Sequence, residues 1–202
     1  MKNYITINNQ KIELTEEQVR QIVAAYNGQS VQLADIPAGE TFKIGGHEFI
    51  VLEQNGDTTA IIRKDLLEEM EFGENNNYDG SYVDDACNAF AQEIAAIVRE
   101  DNMLLHTVDL TADDGLKDYG KVDRRASLIT AEMYRRYVEI LDKYNPGAWW
   151  WLATPHSTER HENSRWVKCV APSGCVYYGS FYNYVLGVRP FCILKSNIFV
   201  SK

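Results

Sequence analysis

The chain of 202 residues has little positive charge: Lys and Arg together number 20, against 29 Asp and Glu, and the formal net charge at pH 7 is −9. Proteins that bind nucleic acid neutralise its phosphates with basic residues. Because this chain lacks a basic surplus, we do not expect nucleic acid among its partners. Hydrophobic residues at 45% and charged residues at 24% are ordinary for a globular protein, which excludes disordered and fibrous classes.

Long hydrophobic runs are also missing. No run approaches the ~20 apolar residues that a membrane-spanning helix needs, so membrane insertion is not expected. The segment from Met1 to Leu14 lacks the apolar core of a secretory signal. The sequence therefore predicts a protein that is cytoplasmic at synthesis, and association with a virus particle stays open as an alternative.

Cysteine is scarce, with four residues at Cys87, Cys169, Cys175 and Cys192. In a reducing compartment such residues are typically free thiols buried in the core. The gaps of five and sixteen residues between the last three do not match the spacing of zinc ligands. A redox or oxidase pair formed by Cys169 and Cys175 is the alternative.

Catalytic motifs are absent as well. The sequence contains no glycine-rich phosphate loop and no nucleophile elbow. His161 and Glu162 begin like a zincin helix, but Arg165 stands where the second histidine is required. A loop metal site formed by His156, Glu159, His161 and Glu162 is the alternative to a solvated polar loop. The sequence predicts no catalytic residue, no resident metal ion and no cofactor.

Residues 1–33 are predicted to form a small appendage of one strand and one helix. Tyr4–Asn8 alternates like a strand, and Thr15 with Gln18 fits a capping box at the start of a helix. One apolar helix stripe, ended by Gly28, comprises Val19, Ile22, Val23 and Tyr26. This appendage is either an arm docked on the main body or a contact to a partner or a second subunit, through which the protein would oligomerise.

Residues 34–202 are predicted to form one α+β domain, with two amphipathic helices, an irregular antiparallel sheet and long loops. Ser81 caps the first helix, which runs to Arg99, and Thr130 caps the second, which runs to Tyr144. The expected buried face of the first helix comprises Ala86, Phe90, Ile94, Ile97 and Val98. From Ala148 onward, short apolar runs between Gly, Pro, Ser and Asn indicate strands and loops.

The segment from Val176 to Leu186 is rich in aromatic residues, since five of its eleven residues are Tyr or Phe, and it contains no charge. Its alternation is poor for a half-buried strand. Tyr mixed with Ser, Gly and Asn is typical of antibody-like binding loops, where tyrosine gives a rigid contact area at a low entropy cost. An ordinary aromatic β-hairpin is the alternative. Trp149–Trp151 cannot all face one side of a strand, so at least one should lie at a surface or at an interface between layers.

The C-terminal part resembles a known family. The residues concerned are Trp150–Pro155 (WWLATP), Val167–Val170, Ser173-Gly174 and Gly187–Pro190 (GVRP) before an apolar strand. This framework resembles a domain-of-unknown-function family, widespread in gut Firmicutes and their phages, that has a C-type-lectin-like fold. The resemblance covers about residues 34–196 and implies that fold for the main domain.

Some members of similar lectin-like families are variable proteins of diversity-generating retroelements, whose varied codons lie in a C-terminal cassette. Codons of the form NNY cannot encode Lys, Glu, Gln, Met or Trp. These types account for 41 of the 202 residues, yet none occurs in the 26 residues from Cys169 to Leu194. The chain lacks the Glu-Pro-Asn, Gln-Pro-Asp and Trp-Asn-Asp triplets of calcium-dependent lectins, so calcium-dependent sugar binding is not expected.

The resemblance also implies roles for particular residues. As scaffold it implies Trp150, Trp151, Gly187, Arg189 and Pro190, with the Arg189 fork holding either loop carbonyls or a carboxylate. The implied ligand-facing positions are Tyr177, Tyr178, Ser180, Phe181, Tyr182, Tyr184 and Leu186.

We therefore expect a non-enzymatic ligand-binding protein, encoded by a phage or prophage, whose partner is a protein or another cell-surface ligand. A structural or assembly component of a phage particle, docked through residues 1–33, is one alternative. A relative of formylglycine-generating oxidases that uses Cys169 or Cys175 is another.

Overall fold

The computed structural model describes residues 3–7, 10–26 and 30–202, which form a mixed α+β structure with few helices and a curled antiparallel sheet. The helices are α1 (Glu16–Tyr26), α2 (Tyr82–Val98), α3 (Ala131–Arg136) and α4 (Val138–Lys143), with 3-10 turns at Leu33–Asp35 and Glu100–Asn102. The strands are β1 (Asn3–Ile7), β2 (Gln10–Leu14), β3 (Ser30–Gln32), β4 (Thr41–Ile44), β5 (His47–Asn55), β6 (Thr58–Arg63), β7 (Glu69–Met70), β8 (Met103–Leu104), β9 (His106–Asp109), β10 (Lys121–Arg124), β11 (Ala126–Ser127), β12 (Trp150–Pro155), β13 (Trp166–Val170), β14 (Val176–Ser180), β15 (Leu186–Gly187), β16 (Phe191–Lys195) and β17 (Phe199–Ser201). None of the described helices is long and apolar enough to cross a membrane.

The larger sheet has eight strands in the order β11-β16-β6-β5-β4-β17-β3, with β8 also paired to β16. The middle of its central hairpin, β5–β6, is buried on both faces: Phe49, Val51 and Ile61 belong to one core, and Ile50, Leu52 and Ile62 belong to another. Helix α2 packs on one face, where the rings of Phe90 and Phe49 lie 6.1 Å apart.

The smaller sheet has five strands in the order β14-β13-β12-β15-β7. Its β12 residues are buried from end to end, and adjacent side chains point to opposite faces. Trp151 meets Phe72 on one face at 5.5 Å, and Trp150 meets Tyr134 on the other at 5.7 Å between ring centroids. The sheet is therefore anchored by core on both faces, and β14 is left as an edge strand.

The N-terminal segment forms a hairpin, β1–β2, followed by α1. The capping box is confirmed: the backbone N–H of Thr15 donates to Gln18 Oε1 at 2.9 Å, and that of Gln18 donates to Thr15 Oγ1 at 3.2 Å. Ile22 of the predicted stripe is exposed, and Gly28 lies outside the described residues. Strand β3 pairs with β17, so the main sheet already includes residues 30–32, which the sequence assigned to the appendage.

The predicted face of α2 needs a correction. Ser81 is the N-cap and accepts from the backbone N–H of Asp84, as expected. However, Ile97 is exposed, whereas Asp84 is fully buried because the guanidinium of Arg124 binds both of its carboxylate oxygens, at 2.8 and 2.6 Å. A hydrophobic pattern misses this face because one of its members is a paired carboxylate.

The second predicted helix is two short helices. Thr130 caps α3 as expected, by accepting from the backbone N–H of Met133. The backbone leaves helical geometry at Tyr137, with φ −107° and ψ 16°, and α4 starts at the next residue. The Tyr137 hydroxyl donates to Glu53 on β5, so a tertiary hydrogen bond lies at this break.

Candidate ligand-binding site

The aromatic segment between residues 176 and 186 is divided into an edge strand, β14, a loop of residues 181–185, and β15. Four tyrosine rings in it are between 42 and 52% exposed, and they belong to Tyr177, Tyr178, Tyr182 and Tyr184. We call these four residues the tyrosine surface. A folded protein normally covers such large apolar groups, so their joint exposure within eight residues marks this segment as a candidate site.

Tyr177 and Trp149 form one exposed pair on the sheet. Their rings meet edge to face, with centroids 5.6 Å apart, and Trp149 is 40% exposed. The register places Tyr177 opposite Cys169, which lies opposite Trp151, so these side chains share one face of the sheet. Of the three tryptophans, Trp149 is therefore the one at a surface, whereas Trp150 and Trp151 are buried.

Tyr178 points to the opposite face of the same strand, where a second aromatic group surrounds it. Its ring stacks on His156 at 5.1 Å and meets Trp166 edge to face at 5.3 Å. The Nζ of Lys168, the register partner of Tyr178, lies 6.0 Å from the ring centroid.

Lys168 also fixes the charge of a neighbouring carboxylate. Its Nζ lies 3.0 Å from Asp113 Oδ2. Burial alone would raise the pKa of Asp113, but the hydrogen bond and charge of Lys168, helped by Arg135, hold that pKa below its usual value. The Asp113 carboxyl is therefore ionised near neutral pH.

The loop presents the remaining rings. Phe181 is only half-buried and packs toward the core that contains Trp151, while its carbonyl accepts from the backbone N–H of Phe72 at 3.0 Å. The ring of Tyr182 meets that of Phe181 at 4.8 Å, and Tyr184 and Val185 are exposed. Phe181 therefore lies between the core and Tyr182 and supports the Tyr182 ring by direct contact.

Two of the expected ligand-facing positions are in the interior instead. Ser180 is 2% exposed and Leu186 is 7% exposed. Leu186 belongs to the core around Trp151 and pairs with Met70 of β7, because the chain has re-entered the sheet at that point. These two residues support the surface from beneath.

The residues that were expected to form the scaffold are all buried. Arg189 is fully buried, and its guanidinium donates to the carbonyl oxygens of Arg63, Lys64 and Tyr144 at 2.9, 3.0 and 2.9 Å. It also lies over the ring of Trp150, 5.2 Å from the centroid. Arg189 therefore holds loop carbonyls, and burial lowers its pKa to about 10, which leaves it charged at neutral pH.

The other two scaffold positions fix β15 and the following turn. A Cβ at Gly187 would collide with the side chain of Leu66, and the backbone N–H of Gly187 donates to the carbonyl of Trp149 at 2.8 Å. The carbonyl of Pro190 accepts from the backbone N–H of Arg63 at 2.8 Å. Any side chain at position 187 would therefore require Leu66 to move.

The residues suggested for other chemistry are not brought together. Cys169 is buried, and burial raises its pKa to about 12, so its thiol is protonated at neutral pH, whereas Cys175 is exposed. His156 stacks on Tyr178, and His161 Nδ1 lies 3.1 Å from Asp114 Oδ2. Across residues 3–7, 10–26 and 30–202, no group of three or more His, Cys, Asp or Glu side chains is arranged to hold a metal ion.

Comparison of the chain with models of protein families, with curated proteins and with solved structures gives no match.

Proposed function

We propose that this protein is a non-enzymatic ligand-binding protein with a C-type-lectin-like fold, and that it binds a protein ligand through the tyrosine surface. The observation that supports this most directly is the half-exposure of four tyrosine rings within one uncharged segment. The fully buried Trp151 lies directly beneath Gly179 of that segment and gives it a rigid base.

Tyrosine suits this role for physical reasons. Each ring covers a large apolar area, has only two side-chain torsions to immobilise, and ends in a hydroxyl that both donates and accepts. Protein interfaces concentrate their binding energy in such residues, and truncation of one central aromatic commonly costs more than about 1 kcal/mol. A surface without charge also avoids the desolvation penalty that ionised groups would add.

The proposal favours a protein over a sugar as ligand. Calcium-dependent sugar sites need carboxylates and amides around a cation, and the chain has none of the corresponding triplets. The exposed rings occupy both faces of β14 and the following loop, a layout that suits the broad contact area of a protein partner.

A fourfold substitution tests the proposal. Replacing Tyr177, Tyr178, Tyr182 and Tyr184 together by Ser should lower the melting temperature by no more than about 5 °C, because the rings are half exposed. The same variant should lose about a hundredfold or more in affinity, equivalent to about 2.8 kcal/mol or slightly more than one hot-spot residue. Peptides selected from a displayed random library against the immobilised wild-type chain serve as probes, read out by surface plasmon resonance and calorimetry.

The matched control replaces exposed aromatic residues elsewhere, Tyr4→Ser with Phe199→Ser, and should leave binding of the same peptides unchanged. Retention of full affinity by the fourfold variant would contradict the proposal. A fall in melting temperature well beyond the expected range would assign these rings to the core instead.

The relation to diversity-generating retroelements is part of this proposal and has its own test. All four residues of the tyrosine surface lie in the stretch from Cys169 to Leu194, whereas Trp150 and Trp151 lie outside it. We expect a reverse transcriptase gene near this gene, with a near-copy of the stretch that differs at adenines. Sequencing the genomic neighbourhood decides this point. A neighbourhood without either element would contradict the relation to a retroelement, but it would not contradict the proposed binding function.

A further inference from the structure

Strand β14 is the last strand of its sheet, and the hydrogen-bond pattern shows which of its backbone groups face outward. The backbone N–H of Ala171 donates to the carbonyl of Cys175 at 2.9 Å, and that of Phe181 donates to the carbonyl of Arg165 at 3.2 Å. These bonds flank an unbroken antiparallel register between β13 and β14. Because bonded and non-bonded pairs alternate, Tyr177 and Gly179 bond to β13, whereas the N–H and C=O of Tyr178 point away from the sheet.

Three of the features that normally block strand addition are missing from this edge: charged side chains, proline and a bulge. Natural edge strands are protected by charged side chains, proline, bulges or a covering segment. The sequence of β14, Val176–Ser180, contains no charge and no proline, and its register is continuous, unlike that between β12 and β13. Among the described residues, no strand pairs with the outer side of β14.

Aromatic side chains flank this open edge on both faces. Tyr177 and Trp149 lie on one face, and Tyr178 with Trp166 and His156 lies on the other. An added strand would direct alternate side chains to the two faces, so each would meet one of these aromatic groups. The edge thus offers main-chain hydrogen bonds together with apolar contacts above and below.

The net charge of the protein favours one of two possible partners for this edge, a second copy of the chain or a basic protein. A second copy of this chain would bring together two molecules of net charge −9, which repel each other. A strand from a basic partner is attracted by the same net charge, and its uncharged centre matches the uncharged β14.

We propose, on the basis of the proposed function, that the free edge of β14 binds an extended segment of a basic partner protein, which adds to the five-stranded sheet as a sixth strand. The main chain of the partner supplies the affinity at Tyr178, and its alternating apolar side chains supply the selectivity. The tyrosine surface is then the aromatic border of a strand-addition site.

The test uses the full chain and a short synthetic peptide of alternating valine and threonine with lysines at both ends. Addition of this peptide should slow exchange of the Tyr178 amide hydrogen at least about tenfold, as measured by NMR, because that N–H becomes hydrogen-bonded. The same peptide N-methylated at every residue should give no protection, since it has no backbone N–H left to donate to the edge on either side. Equal protection by both peptides, or none by either at millimolar concentration, would overturn the proposal.

Two variants supply an independent readout. Tyr178→Pro removes the outward N–H without touching a ladder bond, and proline is tolerated at such edge positions, so the chain should fold and lose peptide binding. Tyr178→Val keeps the N–H and should bind within about tenfold of wild type. Equal binding by the two variants would contradict strand addition, and if the proline variant fails to fold, the N-methylated peptide decides alone.

Other outcomes are distinguishable. Concentration-dependent self-association that Tyr178→Pro abolishes would identify a second copy as the occupant and contradict the basic partner. If the fourfold tyrosine variant loses its selected ligands while Tyr178→Pro retains them, strand addition fails and the proposed function stands.

Discussion

Arg189→Ala is expected to destabilise the protein by about 4 kcal/mol, which corresponds to a fall of roughly 10 °C in melting temperature for a chain of this size. The side chain is fully buried and donates to three carbonyl oxygens in two separate segments, at Arg63 and Lys64 at the end of β6 and at Tyr144 after α4. Truncation leaves these acceptors buried without their donor and opens a cavity beside Trp150. Urea denaturation with parallel thermal scans measures the loss.

Two further variants sharpen this result. Arg189→Lys keeps the charge but loses the planar fork, so it should recover only a minor part of the stability. Arg136→Ala removes an exposed guanidinium whose contact with Glu132 is a surface ion pair at 3.5 Å, and should change stability by less than about 0.5 kcal/mol. Equal effects of the Arg189 and Arg136 substitutions would show that the buried carbonyl contacts contribute nothing.

Trp151→Ala is expected to cost a similar amount, about 4 kcal/mol, and to loosen the candidate site at the same time. The ring is fully buried, its Nε1–H donates to the carbonyl of Met70 at 3.0 Å, and its edge meets Phe72. It also lies directly beneath Gly179 of β14, where a Cβ would come within 3.0 Å of the indole. The variant should therefore show faster proteolysis within residues 181–185 as well as a lower denaturation midpoint.

The neighbouring tryptophan provides the matched control. Trp149 is 40% exposed and meets Tyr177, so Trp149→Ala should cost less than about 1 kcal/mol while weakening ligand binding. A comparable stability loss for both substitutions would mean that Trp149 also belongs to the core. If proteolysis within residues 181–185 were unchanged in the Trp151 variant, the packing of Trp151 would not determine the order of that loop.

Local signals in the sequence were sufficient wherever the structure depends on neighbouring residues. The helix caps at Thr15, Ser81 and Thr130 all form as expected. Each depends on a side chain that accepts a hydrogen bond from a backbone N–H only three positions later in the chain. The α+β class follows from the change of period between the helical stripes and the last third of the chain. The prediction failed where a distant partner decides the outcome, as with Asp84, which is buried only because Arg124 binds it.

The candidate site was likewise predicted where composition was enough and missed where strand pairing decides. The tyrosine-rich composition marked the segment, but it could not separate the exposed Tyr178 from the buried Ser180 two residues later on the same face. That difference depends on strand pairing, which places Lys168 opposite Tyr178 and Trp166 opposite Ser180. His156 and Trp166 were missed as members of the site for the same reason, since neither has a sequence signal that links it to β14.

The amino-acid sequence by itself determined the acidic charge, the helix caps, the class of fold and the uncharged aromatic segment, because each depends on composition or on residues close in the chain. Only the tertiary structure decided that β14 is an edge strand, that its two tyrosines face opposite sides, and that Arg189 binds loop carbonyls. These features depend on contacts between residues far apart in sequence, such as the 126 positions between Arg63 and Arg189. Such contacts form only when the whole core packs, and no local pattern of residues specifies them.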